Sequence, residues 1–176
     1  MGARRTVVLV EGISDRIALE AVARLQGRDL AAEGVDVVPI GGAQAIRRAL
    51  DRHRGLRLAG LCDAGEEGWF RRALGVADRA GLERLGFFVC VENLEDELIR
   101  ALGAARVEEV VAAEGDLETF RAFQNQPAWR GRPVEAQLRR WLQAADNRGK
   151  RYPPVFVDAL EADEIPGPLA GVLTAV

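Results

Sequence analysis

Two carboxylates four residues apart, Glu11 and Asp15, follow the apolar run Thr6-Val7-Val8-Leu9-Val10, with Gly12, Ile13 and Ser14 between them. A strand that stops at one acid, turns on a glycine and opens a helix with a second acid holds both at one end of the strand. In an open parallel sheet, ligands bind beyond the carboxyl ends of the strands. Like charges crowded there repel unless something positive lies between them, and a divalent metal ion is the natural candidate. Later segments repeat the pattern. Leu61-Cys62 runs into Asp63, followed by Ala64-Gly65-Glu66-Glu67, and Val91 runs into Glu92, with Glu95 and Asp96 in the residues that follow. Hard oxygen donors of this kind suit Mg2+, Mn2+ or Ca2+ rather than zinc. No His or Cys cluster competes, since the one histidine, His53, sits in a polar helix end.

Helix-end electrostatics offers a plainer account of some of these acids. A carboxylate in the first turn of a helix favourably opposes the helix dipole, which covers Asp15, Glu95 and Asp96. It does not cover Glu11 and Asp63, each of which directly ends an apolar strand.

The elements that must position these acids alternate as in an α/β sheet. Strands are predicted at Thr6–Val10 and at residues 35–40, 56–62 and 86–91, and near-continuous apolar runs of this length fit a parallel sheet covered on both faces. Helices are predicted over 14–26 with Ser14 as N-cap, 43–52, 67–85 with a break near Gly75, and 93–102. Beyond residue 103 the pattern turns helical, over 106–114, 117–123 and 134–144. Residues 146–154, which include Asn147, Lys150, Pro153 and Pro154, read as a polar loop. A short helix is predicted around 155–161 and a last one after Pro166-Gly167-Pro168. Gly41-Gly42 reads as a tight strand-to-helix turn, and its N–H groups are also a candidate phosphate-binding site. No G-x-x-x-x-G-K-S/T or G-x-G-x-x-G run occurs, so those nucleotide-binding classes are unsupported.

At 176 residues and 48% hydrophobic, the chain suits one domain with a proper core. The division expected is an α/β metal-binding core over 1–103 and a helical extension over 104–176 that carries Lys150, the only lysine. The apolar runs are strand-sized, so no membrane span is expected. Met1-Gly2-Ala3-Arg4-Arg5 leads straight into a strand without a signal-peptide pattern, so a soluble cytoplasmic protein is expected. Cys62 and Cys90 fall in strand-like runs and read as buried, inert thiols. A net charge of −3 is a weak guide to partners, because acids can crowd one pocket while arginines line another face. The arginines considered for nucleic-acid contact are Arg47, Arg48, Arg139, Arg140, Arg148 and Arg151. Trp69, Trp129 and Trp141 read as packing residues.

The acids and their order resemble a Toprim domain, the metal-binding module shared by type IA topoisomerases, bacterial primases and several nucleases. That family carries a glutamate after strand one, matched by Val8-Leu9-Val10-Glu11-Gly12-Ile13-Ser14-Asp15, and an Asp-x-Asp after strand three. Leu61-Cys62-Asp63-Ala64-Gly65 matches the second motif in part, with Gly65 where the second aspartate belongs. Within the family the chain is most similar to the Toprim half of the overcoming-lysogenization-defect (OLD) nucleases. The Glu-Gly-x-x-Asp start, Glu95 opening the helix after strand four, and Lys150 in the helical C-terminal part carry that resemblance.

The resemblance implies a Toprim-like, Rossmann-like fold and a Mg2+- or Mn2+-dependent endonuclease using one or two ions, with DNA as the expected partner rather than RNA. It implies Glu11, Asp15 and Asp63 on a first ion and Glu95, with Glu92 or Asp96, on a second, while Glu66 is a further candidate near Gly65. It gives Lys150 the role of offering its ammonium to the scissile phosphate. The ATPase half that accompanies this module, with its Walker motif, is not in the sequence, so any such ATPase is expected to be a separate partner. Two alternatives stay open. One is a non-catalytic Toprim module that binds nucleic acid or protein, favoured by Gly65. The other is a phosphorelay receiver, which also gathers acids at the strand ends but whose late lysine follows a strand.

Overall fold

In the computed structural model, which describes residues 5–176, four strands form one parallel sheet. They are β1 (Thr6–Val10), β2 (Val35–Pro39), β3 (Arg57–Asp63) and β4 (Phe87–Cys90), in the order β2-β1-β3-β4. Thr6 pairs with Val35 on one side and Arg57 on the other, and Asp63 pairs with Cys90. The leader Met1-Gly2-Ala3-Arg4 lies outside the described residues.

All of β1 is buried, as a central strand covered on both faces must be. Its side chains alternate between two cores. Val8 and Val10 join a large cluster built with α1 (Ile13–Leu25) and, further along, α5 (Leu94–Leu102), α6 (Ala104–Ala113), α7 (Leu117–Gln124), α8 (Val134–Gln143), α9 (Asp146–Asp158) and α10 (Gly167–Thr174). Val7 and Leu9 join a smaller one with α2 (Ile46–Arg52), α3 (Glu67–Leu74) and α4 (Arg79–Arg84). Gly60 of β3 is required by a close approach: a Cβ there would stand 2.5 Å from the Phe87 ring and 2.8 Å from the Leu9 carbonyl oxygen. The predicted break falls at Gly75, which ends α3 in the left-handed region at φ +69°.

Two local expectations are corrected. The N-cap of α1 is Gly12, not Ser14, because the Asp15 carboxylate accepts the Gly12 N–H at 2.8 Å and so fixes the helix start one turn ahead of itself. Residues 146–154 are not a loop: α9 runs from Asp146 to Asp158 and absorbs the short helix expected near 155–161. Pro153 and Pro154 remove two helix N–H groups, which argues against a helix on local grounds. Packing overrides that cost, for Tyr152, Phe156 and Val157 are buried on one stripe against the large core, with the Tyr152 ring 5.5 Å from Trp141.

Candidate functional site

β1 and β3 lie side by side, and the chain leaves them for opposite flanks, β2 and β4. Their carboxyl ends therefore flank the point where strand order reverses, the usual ligand crevice of such sheets. Glu11 and Asp63 stand there. A carboxylate oxygen of Glu11 (Oε1) accepts the Asp63 N–H at 2.9 Å, which clamps the two strand ends together. The Glu11 carbonyl accepts N–H groups from Gly41 at 3.1 Å and Gly42 at 3.0 Å. Both glycines have positive φ, +80° and +102°, which suits them to this tight turn. This corrects the expectation of a phosphate site at Gly41 and Gly42, since their N–H groups are already spent on the Glu11 backbone. The turn serves instead to fix Glu11.

Asp15 faces the same edge from the first turn of α1. Burial, then repulsion from Glu95, pushes its carboxyl up to about 6 against the pull of the Gly12 N–H. Asp63 is pushed up to about 8 by burial and by the charges of Glu11, Asp15, Glu95 and Glu66. Glu11 is raised by burial and by Asp15 and Glu66, and Glu95 is raised by burial. Asn93 caps α5 by accepting the Asp96 N–H at 2.9 Å, and so sets Glu95 in the first turn of that helix. These acids, remote in sequence, thus lie within electrostatic reach of one another.

What they lack is a basic partner. Among the described residues, no ion pair includes Glu11, Asp15, Asp63 or Glu95. Partly buried carboxylates without a cation are costly, and hard oxygen donors bearing negative charge match Mg2+ or Mn2+ in kind. Their spacing is looser than a finished coordination shell. Among the described residues, no three His, Cys, Asp or Glu side chains converge closely enough to hold one ion as they stand. Coordination thus requires side-chain rotation, for which Asp63 and Glu95 are free, as neither carboxylate accepts a hydrogen bond from another of the described residues.

The remaining candidate acids divide. Glu66 raises both Glu11 and Asp63 and belongs with the group. Its neighbour Glu67 is held by Arg79 at 2.7 Å. Glu92 is exposed, with its carbonyl accepting the Ala64 N–H at 3.3 Å. Asp96, expected as an additional ligand, is buried between Arg100 at 2.8 Å and Arg139 at 3.1 Å and ties α5 to α8. Sequence reasoning missed Glu97, a buried acid that accepts the Val91 N–H at 2.6 Å and pairs with Arg100 at 2.9 Å, shaping the loop after β4. Its position one residue before Leu98, on the inward stripe of α5, was the only signal.

Lys150 is exposed on α9 and lines an open cleft of about 660 Å3 with Glu11, Ser14, Pro39, Gly41 and Gln143. The fold therefore brings the lone lysine and the first acid to one cavity from opposite ends of the sequence. A receiver's lysine would follow a strand, and this one rides on a helix. Of the six arginines considered, Arg139 pairs with Asp96, Arg151 with Glu114 and Asp116, and Arg148 lies over the Trp141 ring at 4.1 Å. Arg47, Arg48 and Arg140 are exposed. Trp141 is buried and Trp129 stacks on Phe123, as expected of packing residues, but Trp69 stays 40% exposed. Cys62 and Cys90 are buried and free, and burial raises both thiols well above the ordinary range.

A family model described as "Overcoming lysogenization defect protein-like, TOPRIM domain" matches residues 4–62, from β1 to Cys62, one residue before Asp63 ends β3. Among solved structures, the C-terminal region of the Burkholderia pseudomallei OLD protein is similar in fold, with a TM-score of 0.72 at 18% identity over 97% of this chain and 96% of that one. The C-terminal region of the Xanthomonas campestris pv. campestris OLD protein gives a TM-score of 0.70 at 22% identity, covering 99% of this chain and 95% of that one. No curated protein matches in sequence. The chain thus resembles an OLD-like Toprim domain in sequence over β1 to β3, and the C-terminal regions of OLD proteins in fold over nearly its whole length.

Proposed function

From that likeness and the site's geometry, we propose that the chain is a divalent-metal-dependent nuclease acting on DNA in the cytoplasm. The observation that carries the reading is the set of partly buried carboxylates without a basic partner at the strand-order reversal, with Lys150 across the adjoining cleft. Glu11, Asp15 and Asp63 would hold one Mg2+ or Mn2+, and Glu95 with Glu66 would serve a second. When bound, such an ion supplies a water of lowered pKa as nucleophile and positive charge for the phosphate.

The chain's own residues set the conditions. Asp63 and Asp15 hold protons more tightly than ordinary aspartates and release them to serve as ligands, so cation binding strengthens as pH rises. Glu11 keeps one oxygen on the Asp63 N–H, which holds its carboxylate at the strand end and leaves the other oxygen to serve as a ligand. The Lys150 ammonium donates to a phosphate oxygen in the cleft and stabilises charge that grows there in the transition state. Incubating the purified protein with supercoiled plasmid and Mg2+ or Mn2+, beside Glu11→Ala, tests the reading. Nicking or linearisation by the wild type that disappears in the variant supports it.

Gly65 favours a second reading, a Toprim module that binds nucleic acid without cutting it. It leaves the second aspartate position of the motif without a ligand. Tight DNA binding with no cleavage in any divalent metal would establish that alternative.

A further inference from the structure

Three large apolar side chains stand in solvent at the edge that carries the acids: Ile13 and Val91, each 53% exposed, and Trp69, 40% exposed. Trp69 lies in the first turn of α3, six residues beyond Asp63 and three beyond Glu66. The Arg72 guanidinium sits over its ring at 4.6 Å, a cation–π contact that orients the indole. α2 packs beside α3 and carries the exposed Arg47 and Arg48. Among the described residues, none of Arg47, Arg48 and Arg72 enters an ion pair, whereas Arg71 and Arg79 on the same flank are drawn to Glu67. A lone indole among unpaired guanidinium groups complements a polyanion that also offers flat aromatic faces. A nucleotide strand meets both demands in one ligand, because its bases and its phosphates alternate along the chain.

We infer that Trp69, held by Arg72, is a stacking platform for an unpaired nucleobase, and that Arg47 and Arg48 take the flanking phosphates. The substrate class is then single-stranded or locally opened nucleic acid, because the bases of an intact duplex are stacked on each other and present no free face. The inference rests on the nuclease reading for the identity of the ligand. It puts the base on α3, six residues past Asp63 at the end of β3.

The test measures binding in EDTA by fluorescence anisotropy, using a labelled oligothymidine of about 12 nucleotides and a duplex of the same length. The wild type binds the single strand more tightly than the duplex, and the oligothymidine quenches tryptophan emission, which Trp69 contributes as the exposed indole. Trp69→Ala weakens single-strand binding roughly 5- to 150-fold, the range for loss of one stacked base, while Trp69→Phe keeps most of it. Equal affinity of wild type and Trp69→Ala for the single strand overturns the inference. So does an equal loss on single strand and duplex, and so does unquenched emission in the wild type, which needs no variant. A wild type that never cuts plasmid but binds through Trp69 sinks the nuclease reading alone. A Trp69→Ala variant that binds and cuts like the wild type sinks the platform alone.

Discussion

Replacing Asp63 by Asn should stabilise the protein without metal at high pH and abolish its response to divalent cations. The sign follows from linkage. Asp63 titrates near 3.8 when unfolded and at about 8 in the fold, so between those values the native state binds more protons than the unfolded one. Stability therefore falls as pH rises through that window. A rise of this size corresponds to roughly 6 kcal/mol at full conversion. Relaxation and water at a partly open edge correspond to a much higher effective dielectric, and a net gain of about 2 kcal/mol for the neutral amide at pH 9 is the working expectation. At pH 3.5, below both values, the aspartate is protonated in the native and the unfolded state alike, and Asn should be close to neutral. Urea unfolding at pH 3.5 and pH 9 in EDTA measures both. Repeating the pH 9 series in Mg2+ at ten times its Kd should add about 1.4 kcal/mol to the wild type and little to the variant. If Asp63→Asn destabilises the protein equally at both pH values, or gains from Mg2+ as the wild type does, the reasoning about this cluster is wrong.

Other outcomes follow from the same geometry. Gly60→Ala should lose about 3 kcal/mol in denaturant unfolding, because its Cβ collides with the Phe87 ring and the Leu9 carbonyl; a loss below about 0.5 kcal/mol would refute that close approach. Gly65→Asp should fold with stability within about 0.5 kcal/mol of wild type, since a Cβ there meets nothing within 4 Å, and should tighten Mg2+ binding in calorimetry; unchanged affinity would mean the position does not face the ion. Lys150→Ala should leave Mg2+ affinity nearly unchanged while slowing plasmid cleavage on the order of 100-fold; a parallel loss of metal affinity would assign the lysine to the fold of the cleft instead.

The sheet was legible because its strands are short apolar runs that end at charged residues, and a run buried on both faces leaves no other reading. Glu11, Asp15, Asp63 and Glu95 were legible for the same reason: parallel topology alone carries strand ends to one edge. What escaped the sequence depends on where groups point. The pair Gly41-Gly42 announces a turn but not that both N–H groups face the Glu11 carbonyl. Asp96 and Asp15 look alike as first-turn acids, yet Arg139, remote in sequence, draws one into an ion pair, while among the described residues no basic group pairs with the other. In α9, two prolines and a polar start hid a helix that Tyr152 and Phe156, four residues apart, announce once the core they fill is known. Trp69 could not be told from its buried relatives, because exposure of a single ring depends on the helices around it.

The most direct test of the account is a crystal of the protein soaked in Mn2+ and measured for anomalous scattering. The account predicts a peak at the carboxyl ends of β1 and β3, bonded to oxygens of Glu11, Asp15 and Asp63 after the Asp63 side chain turns toward the other two. Anomalous density elsewhere on the surface, with those three carboxylates still apart, would contradict it.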